Sequence, residues 1–200
     1  MRRAGFFEEL LEYTERKYPE KGTEIRKKAE ELLEEYCSSE KKKPYAITVH
    51  TVERIFPCIA IYKSISELAD DKKGAYQIVS DCFEEICKKR TAPIRRLCRF
   101  PFLYHFVPYA AAKFVKKNFA VKSGFHMKVR KVNREECHID MVGCPYHNYC
   151  KIYECEELTT AFCSADDVAF EHLHKNVSWD RTKALGRGDR CCDFIFRVDR

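Results

Sequence analysis

The sequence predicts an α+β fold in which an N-terminal helical layer packs on a C-terminal four-stranded antiparallel sheet, with ββααββ order in the second part. Three observations predict it. Apolar residues recur at helical spacing from the first residues to about Phe119, the period changes to two after Gly124, and two pairs of alternating segments flank one helical interval. Residues 1–200 therefore read as one domain, with a helical layer over 1–120 and the sheet with its candidate site over 121–200.

The elements follow in order. Phe6, Phe7, Leu10 and Leu11 mark a first helix, and Ile25, Ala29, Leu32, Leu33 and Tyr36 a second, with breaks at 19–22 and 38–44. Val52, Ile55, Phe56, Ile59, Tyr62 and Ile65 predict a third helix over 46–68, which Pro57 is expected to kink. A fourth begins after Gly74 and carries Tyr76, Ile78, Val79, Phe83 and Ile86; a fifth covers about 103–119. Phe125, Met127 and Val129 then alternate with polar residues, as do Cys137, Ile139 and Met141, and residues 133–136 join the two strands as a hairpin. A helical interval runs from Pro145 to about His174. Two further strands, 177–185 and 192–198, are linked by Gly186-Arg187-Gly188-Asp189 as a tight turn.

Composition bounds the function. The first twenty residues are rich in Glu, Arg and Lys and lack the apolar run of a secretory signal, so the expected compartment is the cytoplasm. The twelve cysteines then read as thiols for metal or catalysis rather than as disulfides. No segment reaches the roughly 20 apolar residues of a membrane span, so no membrane partner is expected. A net charge of +6 and a pI near 8.6 favour an anionic ligand. Lys113, Lys116, Lys117, Lys122, Lys128, Arg130 and Lys131 read as solvated faces, and no nucleic-acid partner is expected.

Chemistry gathers in the last sixty residues. Cys144 leaves the second strand and Pro145 suits a first helical position, so the thiol is expected at a helix N-terminus, where backbone amides and the helix dipole lower its pKa. His147 returns to the same side of that helix. Cys150 lies roughly 120° round from Cys144 and reaches the site only at its edge. The same three residues also suit a core. Cys163 stands three and four residues before Asp166 and Asp167, so a thiol and a carboxylate share a face; the two acids also suit the start of a helix. Cys192 and Asp193 point to opposite faces of their strand. Arg181 offers a bidentate grip on a carboxylate, or an ion pair with Asp193 or Asp180. Cys37, Cys58, Cys82, Cys87 and Cys98 read as core or surface thiols. Metal is a second possibility, either absent or a divalent ion such as zinc held by Cys144, His147, Cys163 and Cys192, although the paired spacings of a structural zinc site are missing.

Gly143-Cys144-Pro145-Tyr146-His147, Glu157-Leu158-Thr159, Phe162-Cys163-Ser164-Ala165-Asp166-Asp167, Arg181-Thr182 and Cys191-Cys192-Asp193-Phe194-Ile195-Phe196 together resemble the L-2-amino-thiazoline-4-carboxylic acid hydrolase family over about 124–198. The resemblance implies a hydrolase that opens a cyclic amidine-like ring bearing a carboxylate, giving a carbamoyl-cysteine. Such chemistry needs an attacking group, a proton source, a carboxylate for the amidine and a cation for the substrate carboxylate. On that reading Cys144 attacks, His147 moves protons, Asp166 or Asp167 holds the amidine, Arg181 grips the carboxylate, and Cys163 and Cys192 line the pocket. With metal, the same side chains become ligands and a bound water attacks. The chain is also similar to ligand-binding domains of the 4-vinyl reductase type, some of which hold zinc near this hairpin, but Ala184 and Leu185 stand where a further thiol would be expected. A sensor or carrier without catalysis is the alternative function.

Overall fold

The computed structural model describes residues 5–40 and 43–199. Helices α1 (Gly5–Lys17) and α2 (Gly22–Glu40) pack together and on α4 (Phe56–Leu68), which in turn packs on α5 (Lys72–Cys98). The apolar stripes account for this: Leu10, Leu11, Ile25, Ala29, Ile59 and Ile65 are all fully buried. Each large aliphatic side chain removed from water contributes about 1.5–3 kcal/mol.

The third predicted helix is three segments in one rod. A short α3 (Tyr45–His50) runs into a π-turn over Thr51–Ile55, and α4 follows with Pro57 in its first turn. In an uninterrupted α-helix the Pro57 ring would strike the carbonyl four residues back, and the wider π-turn relieves that clash. The expected kink at Pro57 is thus replaced by a change of helix type just before it. Asp71 starts α5 by accepting the Gly74 amide at 2.7 Å, and the helix continues through Pro93 well past Ile86. A 3-10 turn (Leu103–Phe106) leads into α6 (Val107–Asn118).

The second part has the expected order. Strands β1 (His126–Val132) and β2 (Glu136–Gly143), helices α7 (Pro145–Ile152) and α8 (Leu158–Phe170), then β3 (Val177–Asp180) and β4 (Cys192–Val198) give one antiparallel sheet ordered β1-β2-β4-β3. Register sets the faces. Cys137, Ile139 and Met141 stand opposite Phe196, Phe194 and Cys192 and form the inner face, against which α6 packs. His138, Asp140 and Asp193 fall on the other face. There Arg130 donates to Asp140 at 2.6 Å.

Strand β3 stops at Asp180 rather than Leu185. The Asp193 carboxylate accepts the Thr182 hydroxyl and the Lys183 amide, both at 2.6 Å, and draws the chain off the ladder. The link to β4 is therefore a long loop with a 3-10 turn at Leu185–Arg187, closed by Gly188 at φ 88°. Buried side chains of both layers form one hydrophobic core. Among the described residues no helix is long and apolar enough to cross a membrane.

Candidate active site

A cavity of about 530 Å³ lies between the helical layer and the inner face of the sheet. It collects Cys144, Cys163, Asp166 and Cys192, four of the seven residues singled out from sequence. They arrive on three supports. Cys144 caps the start of α7, Cys163 and Asp166 share one face of α8 at i and i+3, and Cys192 opens β4 on the inner face.

Asp166 is the only carboxyl on α8 that lines this space. About 36% of its side chain is exposed, on the side that faces the cavity, and the rest is packed in protein. Burial raises its pKa to about 7, against the Arg181 guanidinium, which lowers it, and with Asp167 adding to the rise. A group that is half protonated at neutral pH both gives and takes a proton.

Cys163 and Cys192 are hydrogen-bonded to each other, and the pair is polarised. The Cys163 thiol donates, so its own pKa is raised, by that bond first and by burial second. Cys192 accepts and is lowered, first by Cys163, with burial opposing and with the Leu185 amide and Arg181 helping. The amide bond is visible in the geometry, Leu185 N to Cys192 Sγ at 3.2 Å. That amide is held by the Leu185–Arg187 turn, which lies so close to α8 that a Cβ on Gly186 would meet Thr159 Cγ2 at 2.9 Å. Thiolate character therefore concentrates on Cys192.

Cys144 departs from expectation. The amides of His147 and Tyr146 favour its anion, but burial outweighs them and pushes the thiol up to about 12. The helix start is there, but the cost of burying the anion exceeds what the two amides return.

The other three residues stand outside the cavity lining. Asp167, one position on and about 100° round α8, accepts Trp179 Nε1 at 3.0 Å and forms an ion pair with Arg181. Arg181 is 5% exposed, 3.9 Å from Asp166, and has Nε and Nη1 buried without a partner. Its partner is thus Asp167, neither Asp193 nor Asp180. His147 Nδ1 is buried without a hydrogen bond. Cys150 pairs with Cys155, away from this wall. The acids at 166 and 167 do not start a helix either, since α8 begins at Leu158 and they fall in its later turns. Among the described residues, no group of three or more His, Cys, Asp or Glu side chains is arranged to hold a metal ion.

Several lining residues were not singled out by sequence. Arg54 comes from the π-turn and Arg90 and Cys87 from α5. Cys87, which by sequence reads as a core or surface thiol, is raised to about 11 by burial, with Arg90 and Arg54 both near enough to oppose the rise. Arg54 Nε is buried without a hydrogen-bond partner, and its guanidinium lies beside the Tyr146 hydroxyl. That hydroxyl is 3.2 Å from His50 Nδ1, and His50 Nε2 is 3.3 Å from the Asn118 carbonyl. Burial, then Arg54, lowers His50 to about 4, so the ring is neutral, donating from Nε2 and accepting at Nδ1. A π-turn is a common mark of a functional segment. It has no sequence signature, and this explains why Arg54 was not legible.

Comparison with known proteins agrees with the motif set. No curated protein matches the chain. One solved structure, the crystal structure of Fe(II) unliganded H-NOX protein from K. algicida, is similar at 12% identity over 99% of this chain and 97% of that one, with a TM-score of 0.38. A family model matches residues 49–196, from just before the π-turn to the last strand. The chain belongs to the L-2-amino-thiazoline-4-carboxylic acid hydrolase family.

Proposed function

We propose that the protein hydrolyses a cyclic amidine-like ring of the thiazoline type, breaking its C–S bond to leave a carbamoyl-cysteine product. One observation carries this reading: Asp166, a carboxyl whose pKa burial raises, shares a cavity with the hydrogen-bonded thiols of Cys163 and Cys192.

The steps balance. Cys192 thiolate adds to the ring carbon between nitrogen and sulfur, the ring C–S bond breaks, and protonated Asp166 gives its proton to the departing sulfur. Water then adds to the carbon of the resulting isothiourea. Asp166, now a carboxylate, takes a proton from it, and Cys192 leaves as thiolate. Acid and nucleophile end as they began. Cys192 replaces Cys144 as the attacking sulfur because Cys144 is held neutral by burial. Cys163 steadies the thiolate, and Arg181 with Asp167 positions Asp166 from behind.

Ring opening of 2-amino-thiazoline-4-carboxylate, followed by release of free thiol, tests the reading. Cys192→Ser and Asp166→Asn should each lower kcat/KM by about 10²-fold or more, while Cys144→Ser keeps most of it. Loss confined to Cys144→Ser, together with loss of bound metal, would instead support metal-bound water as the nucleophile. Tight ligand binding without turnover would support a sensor or carrier.

A further inference from the structure

The cavity is larger and more apolar than a single polar ring needs, and its charged lining residues are Glu53, Arg54, Arg90 and Asp166. Arg54 and Arg90 both line it, both lie near Cys87, and neither has a carboxylate within salt-bridge reach among the described residues. Arg54, with its Nε buried and unbonded, calls for an anion, and Arg90 is an exposed second cation on the same lining. Much of the remaining lining is aromatic and includes Phe83, Phe114, Phe119, Phe162, Phe170 and Phe194.

Four of those rings, Phe114, Phe119, Phe170 and Phe194, are also the wall of a second hollow of about 400 Å³. Ile94, Leu97, Leu103, Phe106 and Trp179 complete it, and Asp166 borders both spaces. Hollows of roughly 300–1,000 Å³ enclose ligands of drug size. A bare five-membered ring with its carboxylate would leave most of this apolar surface facing water.

We propose that the natural substrate is an amphipathic acid: its carboxylate rests on Arg54 and Arg90, the bond to be opened lies beside Asp166 and the cysteines, and an apolar body runs along the phenylalanines into the second hollow. The inference takes the word substrate from the hydrolase reading above, and its test is a binding measurement, which stands apart from turnover.

Trp179, the chain's single tryptophan, stands on the wall of the second hollow and reports its filling. Butanoate, octanoate, decanoate and decanol are titrated against its fluorescence. Affinity should rise roughly two- to fourfold per methylene, so that decanoate, six methylenes longer, binds at least about 60-fold more tightly than butanoate. Decanol should bind at least about tenfold more weakly than decanoate. Arg54→Gln should weaken decanoate about tenfold and Arg54→Lys recover part of the loss. Arg90→Gln, on an exposed position, should act in the same direction in a protein whose thermal melting is unchanged. Decanoate no tighter than butanoate, decanol equal to decanoate, or both Gln variants binding as wild type would overturn the proposal. The chain-length and arginine pattern without ring opening would sink the hydrolase reading alone; ring opening of the bare thiazoline acid without that pattern would sink this one alone.

Discussion

Asp166 shows how one side chain acquires its proton affinity from its neighbours. Asp166 and Asp167 are adjacent in sequence, and helical geometry turns them about 100° apart. One faces the cavity and the other Trp179 and Arg181. The sequence pairs these acids without saying which is which, because the choice depends on where α8 sits against β3. The consequence for stability has a definite sign. A carboxyl raised in the folded state to about 7 binds more protons than in the unfolded chain between its ordinary value of 3.8 and 7. Stability therefore falls as pH rises through that window, and the cost is fully present above it. Asp166→Asn should raise Tm relative to wild type at pH 8 and much less at pH 4, as thermal melts at the two pH values would show. An equal or opposite difference would contradict the burial account.

At the scale of elements, the loop between β3 and β4 tunes the thiol. The predicted tight turn at 186–189 is instead the end of a long connection that Asp193 pulls away from the sheet. Its 3-10 turn delivers the Leu185 amide to Cys192. Glycine at 186 is needed there because the turn presses on Thr159 of α8. Gly186→Ala should push the turn outward, lengthen the hydrogen bond from the Leu185 amide to the Cys192 sulfur and move the pH at which Cys192 is alkylated upward. Iodoacetamide labelling of Cys192, read by peptide mass, should then be slower at pH 7 than in wild type by a few-fold; unchanged labelling would mean that the amide does not set the thiol. The strands and their faces were legible because alternation dictates them, down to Cys192 and Asp193 pointing opposite ways. The loop was not, since a side chain capturing a backbone amide three residues beyond a strand end leaves no periodic trace. Nor was the π-turn, whose residues look like any other stretch of a helix.

Taken as a whole, the molecule makes its site by closing a helical layer over a sheet. Helices supply Arg54, Cys87 and Arg90, and the sheet half supplies Cys144, Cys163, Asp166 and Cys192. The second set was legible because its polar residues interrupt apolar patterns within fifty positions of one another. The first was not, because arginines and cysteines on long helices read as solvated or core until the partner layer is in place. The same closure explains the fate of Cys144, whose helix-start position was predicted correctly while the burial that neutralises it was not. Central to all of this is a carboxyl kept half protonated by the combined burial of both layers. The most direct measurement is the ¹³C carboxyl titration of aspartate-labelled protein, with Asp166 assigned by its loss in Asp166→Asn. One resonance should titrate near pH 7 in the folded protein and return to the ordinary carboxylate range in urea. Every aspartate titrating below about pH 5 in the folded state would contradict the account.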